Sequence, residues 1–490
     1  MMKYKFIVSL ISLLIAIFIS TTFAQNNENV VLIRNVNVFD GVNEKLLEGY
    51  DVLVVKNLIK KIDKNIQIAE SYEIDVKTGG LKARPGGYLS DISPQGENNV
   101  VMVYEPEKNV KKEVKVVVID GEGRTLIPGL IDAHWHMALA ELPMTSIISG
   151  DAYEVGIRMT LAAPKTLMRG FTTVRDMGGS TFSLKKLIDA GEVVGPRIIP
   201  SGPMISQTGG HFDYRLPNQI PDRTGIIDYW GRVGMNSVAD GTAEVRKRSR
   251  EAFMLGASQI KIAGGGGVAS TYDPIDVRQY SLEEMKAIVD VANSYNSYVA
   301  AHIFTDDAVQ TAVKAGVKSI EHAMLIGRET IQMMKDNDVW LSIQPILNDE
   351  DAEEFPNPES NKKFVEVTKG TETVYRLAKE IGVKMAFGTD LFMSAEAAAK
   401  QGKLLAKLDR WFSPYEALKM ATSDNAELLE LSGPRHPYKK GPLGVIKEGA
   451  YADLIIVDGN PLKNLDLSAD PENNFVIIMK DGKIYKNTLK

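Results

Sequence analysis

The chain has six histidines and no cysteine, so its soft ligands and acid/base groups are few and their placement is informative. His134 and His136 stand two apart at the end of the apolar run GLIDAHWH. Alternation in a strand puts both imidazoles on one face. His302 closes YVAAHIF, His322 closes KSIEHA and Asp390 closes KMAFGTD. A lone His-x-His has many innocent explanations, but four histidines at three run ends and a carboxylate at a fourth point to divalent metal ions, for which neutral imidazole and carboxylate are the usual nitrogen and oxygen ligands. Lys261, in SQIKIAG, faces the same way by alternation. An unpaired ammonium beside divalent cations is strongly disfavoured. Either the amine takes up carbon dioxide and becomes an anionic carbamate able to bridge two metals, or Lys261 is an ordinary lysine turned to solvent or to a carboxylate.

The elements that must carry these residues follow one rhythm. GLIDAHWH, GFTTVRD, PRIIPSG, SQIKIAG, YVAAHIF, KSIEHA, VWLSIQP and KMAFGTD read as eight strands separated by helical stretches such as SLEEMKAIVDVANSYN. Eight alternating units predict an α/β fold, a (β/α)8 TIM barrel over residues 125–432, in which chemistry gathers at the C-terminal ends of the strands. Both ends of the chain are instead rich in short β-branched runs with Asp-Gly and Gly-Asn turns, as in NVVLIRNVNVFDG and YADLIIVDGN. Residues 25–124 and 433–490 are therefore expected to pair into a composite antiparallel β-sandwich domain. An insertion at about 68–112 interrupts it, with a Gly/Pro-rich surface excursion at 77–97 and a charged run, KNVKKEVK, expected as a solvated edge strand.

Composition narrows the chemistry. A chain of 490 residues with 44% hydrophobic and 24% charged residues has enough apolar material for a large core. Without cysteine there is no disulfide scaffold, no thiolate zinc site and no thiol nucleophile. A formal charge of −6 argues against a nucleic-acid partner. Lys3 and Lys5, the apolar run 6–20 and Thr22-Phe23-Ala24 read as a cleaved signal peptide over residues 1–24, which predicts a periplasmic or secreted bacterial protein with no stable membrane span after cleavage.

The ordered set IPGLIDAHWHM, GFTTVRDMGG, SQTGGHFD, GASQIKIAGGGGVAS, AAHIF, SIEHAM, AFGTD, SPYEALKMATSDNAELL and GVIKEGAYADLIIVDGNPL resembles the amidohydrolase superfamily, in particular its imidazolonepropionase-like and prolidase-type branch. The resemblance runs from about Val31 to Lys486. It implies two divalent metal ions, most often zinc. His134, His136 and Asp390 would hold one, His302 and His322 the other, with carboxylated Lys261 between them. It further implies hydrolysis of an amide in a small substrate, such as a dipeptide or N-acyl amino acid, by a hydroxide shared between the metals. Asp390 would act as general base and then acid. Family members often form homo-oligomers, but nothing in this sequence identifies an interface.

Around that set, His211 in SQTGGHFD is expected to hydrogen-bond a substrate carbonyl or its oxyanion. Tyr214 and Arg223 in the same loop are candidates for a substrate carboxylate. Arg175 and Asp176 are expected as a buried pair shaping the barrel floor. The run Gly264 to Gly267 lacks the GK[ST] ending of a phosphate loop and is expected to allow close backbone approach instead. His436 is expected in a surface loop without a role. Two other readings stand beside the leading one. A mononuclear cyclic-amide hydrolase or deaminase would use the histidines without a bridging lysine. A non-catalytic solute-binding barrel would keep the fold alone, against which the complete ligand set argues.

Overall fold

The computed structural model describes residues 30–74, 81–84, 99–105, 109–220, 227–352 and 355–489. The signal-like segment, most of the 77–97 excursion and Arg223 lie outside the described residues. Among the described residues no helix is long and apolar enough to cross a membrane.

The strands are β1 (Val30–Val38), β2 (Leu47–Val55), β3 (Leu58–Asp63), β4 (Ser71–Ile74), β5 (Leu81–Ala83), β6 (Val100–Glu105), β7 (Val110–Asp120) and β8 (Thr125–Pro128) in the N-terminal part. Then come β9 (Leu130–Trp135), β10 (Phe171–Asp176), β11 (Arg197–Pro200), β12 (Met204–Ser206), β13 (Asn236–Val238) and β14 (Ile260–Ala263). The last are β15 (Val299–Thr305), β16 (Ser319–Leu325), β17 (Trp340–Ile343), β18 (Met385–Phe387), β19 (Leu454–Val457), β20 (Phe475–Lys480) and β21 (Lys483–Asn487).

One sheet joins the two ends of the chain in the order β21-β20-β19-β8-β1-β7-β6-β4-β5, with β2 and β3 branching from β1. The joint is the antiparallel pair β8–β19, with Leu454 opposite Pro128 and Val457 opposite Thr125. The antiparallel expectation needs correction at the centre, because β7 and β8 both run parallel to β1. Parallel neighbours require a crossover connection. The chain between β3 and β7 provides it, so the described part of the insertion adds β4, β5 and β6 to the sheet. The charged run pairs with β6 along one side, Val100 opposite Lys115 and Glu105 opposite Val110. β1 is apolar at successive positions because both its faces are covered. Val30 and Leu32 enter one cluster, Val31 and Ile33 another.

The middle of the chain forms two parallel sheets, β11-β10-β9 and β13-β12-β14-β15-β16-β17-β18. Only Ser201, Gly202 and Pro203 separate β11 from β12. At the other end β18 abuts β9, where Asp390 N donates to His134 O at 2.8 Å. Asn425, just past a π-helical turn at Met420–Asp424, bridges this seam. Its Nδ2 donates to Ile131 O (2.7 Å) and Phe387 O (2.8 Å), and its Oδ1 accepts from Phe387 N (3.0 Å). Asn425→Ala is expected to cost about 3 kcal/mol or more in urea unfolding, since each buried backbone group left unpaired costs about 1–3 kcal/mol.

The two layers meet through Arg197, whose Nε lies 2.9 Å from Asp453 and whose Nη2 lies 2.7 Å from Asp481. The surface expectation for His436 is wrong. It is 3% exposed, accepts a hydrogen bond from Tyr438 N through Nδ1, and packs at the same junction against the Tyr438 ring.

Candidate metal centre

On β9, Asp132 and His134 point the same way, and His136 follows just beyond the strand. Asp132 is fully buried and accepts from His134 N (3.0 Å), Thr389 N (3.1 Å), Thr389 Oγ1 (2.6 Å) and Gln401 Nε2 (2.9 Å). Burial raises its pKa to about 6 against those four hydrogen bonds. It clamps the residue before Asp390 to the strand that carries His134 and His136. Its spacing two residues before His134 was the signal that sequence reasoning overlooked.

Nitrogen and oxygen atoms of His134, His322 and Asp390 lie within 4.8 Å of one another. This trio takes two members, His134 and Asp390, from one predicted metal set and His322 from the other. Asp390 Oδ1 lies 3.3 Å from His136 Nε2 and 3.5 Å from His134 Nε2. The His302 ring centre is 4.4 Å from that of His322. The predicted residues thus converge, although they come from four strand ends. Alternation alone does not bring them there. His322, Ala323 and Asp390 adopt left-handed backbone conformations with φ of 75°, 54° and 54°. Such conformations cost on the order of 1 kcal/mol each and cluster at functional sites.

The donor set fits divalent cations. His134 Nδ1 donates to Glu321 Oε2 at 2.8 Å and His322 Nδ1 to Gln344 Oε1 at 2.7 Å, leaving both Nε2 lone pairs for a ligand role. His302 Nε2 donates to Gly266 O at 3.1 Å, which leaves its Nδ1. Burial pushes the His134 and His302 imidazoles well below their ordinary range and His322 down to about 4, so all three are neutral near pH 7. Burial pushes the Asp390 carboxyl up, but His134, His136 and His322 around it hold it well below the usual carboxylate range. Among the described residues, His136 Nδ1 and Asp390 Oδ1 are buried without a hydrogen-bond partner, as groups awaiting a cation would be.

Lys261 is 1% exposed, with Nζ 3.4 Å from His134 Nε2. Among the described residues no carboxylate lies within 4.0 Å of that Nζ, so it is turned neither to solvent nor into an ion pair. Burial lowers its pKa to about 8, only partly opposed by Glu321 and Asp390.

Glu321 was not anticipated. It is buried beside His134 and receives both Arg175 Nη2 contacts, at 2.8 and 2.9 Å. The expected Arg175–Asp176 pair does not form. Neighbours in a strand point to opposite faces. Arg175 reaches across to β16, whereas Asp176 accepts from Met137 N (2.9 Å) and Thr181 Oγ1 (2.7 Å). A chain Arg175–Glu321–His134 therefore fixes the ring of one candidate ligand.

His211 Nδ1 lies 2.6 Å from Ser270 Oγ, and its ring stacks on His302 at 4.0 Å between centres. The glycine run has the expected purpose. A Cβ on Gly267 would meet the His211 ring at 1.9 Å, and one on Gly266 would meet Pro274 O at 1.7 Å. The cleft has two lobes that share His211, His302, His322, Asp390 and Phe392. Tyr214 lines one of them, beside Arg215, which pairs with Asp213 at 2.6 Å.

The chain is similar to several known hydrolases. Ochratoxinase of Aspergillus niger is 32% identical over 375 residues, 74% of this chain and 75% of its own length. A prolidase solved with N-methylphosphonate-L-proline superposes with a TM-score of 0.76 at 31% identity, covering 94% of this chain and 100% of that one. A Xaa-Pro dipeptidase with methionine in its active site gives a TM-score of 0.73 at 27% identity, with the same coverage of 94% and 100%. Neighbours of this type imply a TIM barrel with an additional domain. The amidohydrolase family model matches residues 125–487, nearly all of the chain from β8 onward. The chain therefore belongs to the amidohydrolase family, metal-dependent hydrolases acting on carbon–nitrogen bonds.

Proposed function

We propose that this chain is a binuclear metal-dependent hydrolase of amide bonds in small substrates such as dipeptides or N-acyl amino acids. The observation that carries the reading is the buried convergence of His134, His136, Lys261, His302, His322 and Asp390 at adjoining strand ends. The prolidase and Xaa-Pro dipeptidase relatives support an amide as the scissile bond. In this reading β9, β10, the interrupted β11–β12, and β14 to β18 close a (β/α)8 barrel over residues 125–432. Residues 25–124 and 433–490 make the composite β domain, and residues 1–24 direct export to the periplasm or medium.

His134, His136 and Asp390 would hold one cation and His302 and His322 the other. A carboxylated Lys261 would supply a further anionic ligand. Its neutral amine would add to carbon dioxide, forming an N–C bond and releasing one proton, so that a buried amine without a carboxylate partner becomes an anionic carbamate. Two divalent cations, zinc or a metal of similar preference, would polarise the amide carbonyl and acidify the attacking water. Asp390 takes the proton of that water and delivers it to the leaving nitrogen. His211, oriented through Nδ1 by Ser270, presents Nε2 to the carbonyl oxygen. Tyr214 and Arg223 of the same sequence segment remain candidates for a substrate carboxylate, Tyr214 lining the cleft and Arg223 lying outside the described residues.

Zinc-loaded protein is expected to carry two metal ions per chain by plasma mass spectrometry and to hydrolyse members of a Xaa-Pro, Xaa-Lys/Arg and N-acyl amino acid panel. Asp390→Asn should lower kcat by about 10²–10⁴-fold, the range for a general acid–base group. One metal per chain with an unmodified Lys261 would favour the mononuclear reading. No hydrolysis across the panel would overturn the amidase assignment.

A further inference from the structure

The chain leaving β14 closes a loop on itself before the helix Leu282–Ser294 begins. Its ends touch where Gly266 meets Pro274 O, and its backbone at Gly267 lies against the His211 ring. Val268, Ala269 and Ser270 in between line the cleft. Such a tight reversal turns the carbonyl oxygens of Gly267, Ser270 and Asp273 toward one point. Carbonyls drawn away from water need donors. The amides at the loop's start are spent elsewhere, Gly266 N on Val277 O and Gly267 N on Asp273 Oδ2.

Lys363 supplies the donors from outside the loop. Its Nζ donates to Asp273 O at 2.7 Å, Ser270 O at 2.9 Å and Gly267 O at 3.0 Å. The three hydrogens of an ammonium thus meet three carbonyls. Among the described residues no carboxylate lies within 4.0 Å of this Nζ. Rings of backbone carbonyls hold a monovalent cation in the same way. The support behind Lys363 is firm. It stands on the helix Pro358–Ile381, where a Cβ on Gly370 would meet Met324 O at 1.7 Å and Tyr375 OH donates to Ile343 O at 3.1 Å.

What the loop carries acts on His211. Nδ1 of that ring lies 2.6 Å from Ser270 Oγ and 3.5 Å from Asp273 Oδ2. Gln279 ties the pair together, accepting from His211 N at 3.1 Å and donating to Asp273 Oδ2 at 3.3 Å. We infer that Lys363 is a positioning residue whose ammonium stands in for a monovalent cation, holding the Gly267–Asp273 loop so that Ser270 and Asp273 fix the His211 ring. Its effect on turnover rests on the amidase reading above, whereas its effect on the loop does not.

Lys363→Ala removes the ammonium and leaves room for a free ion. In the zinc-loaded variant the amides of residues 264–279 should exchange hydrogen at least about tenfold faster, since three hydrogen bonds from a charged donor are lost. On a substrate from the panel kcat should fall by about 10–10²-fold with KM little changed, the scale of moving a positioned group by about 1 Å. Ammonium chloride should restore both, and tetramethylammonium chloride at equal ionic strength should restore neither. Wild-type protein should respond to neither salt. Lys363→Met, whose side chain fills the space, should show the same losses without rescue. Rescue by a small cation separates a positioned charge from a merely structural side chain. Unchanged loop exchange in Lys363→Ala, or an equal response of both variants to ammonium, would overturn the inference. Faster exchange with wild-type kcat would overturn the positioning role. Wild-type protein inactive across the panel would sink the amidase reading instead, and the exchange measurement would still decide whether Lys363 holds the loop.

Discussion

Lys261→Ala is expected to lower kcat/KM by about 10³-fold or more and to reduce bound metal below the wild-type content. The side chain is buried among the candidate ligands without a carboxylate partner, so if it carries the proposed carbamate its removal deletes an anionic ligand. Losing several kcal/mol of charge stabilisation corresponds to that factor, at tenfold per 1.4 kcal/mol. Two observations separate a carbamate from a merely structural lysine. Wild-type protein prepared with ¹³C-labelled bicarbonate should show a carbamate carbon by NMR, absent from the variant. Short carboxylates such as formate or acetate should restore part of the activity to Lys261→Ala, because they supply an anion that fits the vacated space. Wild-type metal content and rate in the variant would show that Lys261 takes no part.

The second large effect belongs to Arg175 and Glu321, a pair buried completely behind His134. Removing one partner of a buried ion pair leaves the other charge uncompensated, at a cost of about 3–5 kcal/mol. Arg175→Met is therefore expected to lower stability by that amount in urea unfolding. The double variant Arg175→Met, Glu321→Gln should recover much of the loss, because glutamine keeps an acceptor for His134 Nδ1–H without a buried charge. Glu321→Gln by itself keeps that acceptor but strands the guanidinium. It should weaken metal affinity by about 10–100-fold, the usual effect of altering the partner of a ligating histidine. Metal titration and unfolding together check this, and additive stability losses in the double variant would show that the two groups do not act as a unit.

Much of the site was legible because its spacing is local. His134 and His136 alternate along one run, and Lys261, His302, His322 and Asp390 each close an apolar segment bounded by turn residues. The pairing of the two chain ends was legible for the same reason, since their short β-branched runs differ from the longer strand–helix rhythm between them. The parallel neighbours of β1 were not legible, because hairpin-rich composition describes turns and says nothing of a crossover that brings β7 back beside β1.

The sequence by itself determined which residues can bind and transfer protons, since side-chain type and strand period are local properties. Tertiary structure decided who holds them in place. Glu321 and His322 are adjacent, and a regular strand would send them to opposite faces. The left-handed turn at His322 and Ala323 lets both reach the same centre, one as a candidate ligand and one as the acceptor for His134. Arg175 finds Glu321 146 residues away and Asp132 finds Thr389 257 residues away. Those partners depend on the register between distant strands, which no local pattern encodes.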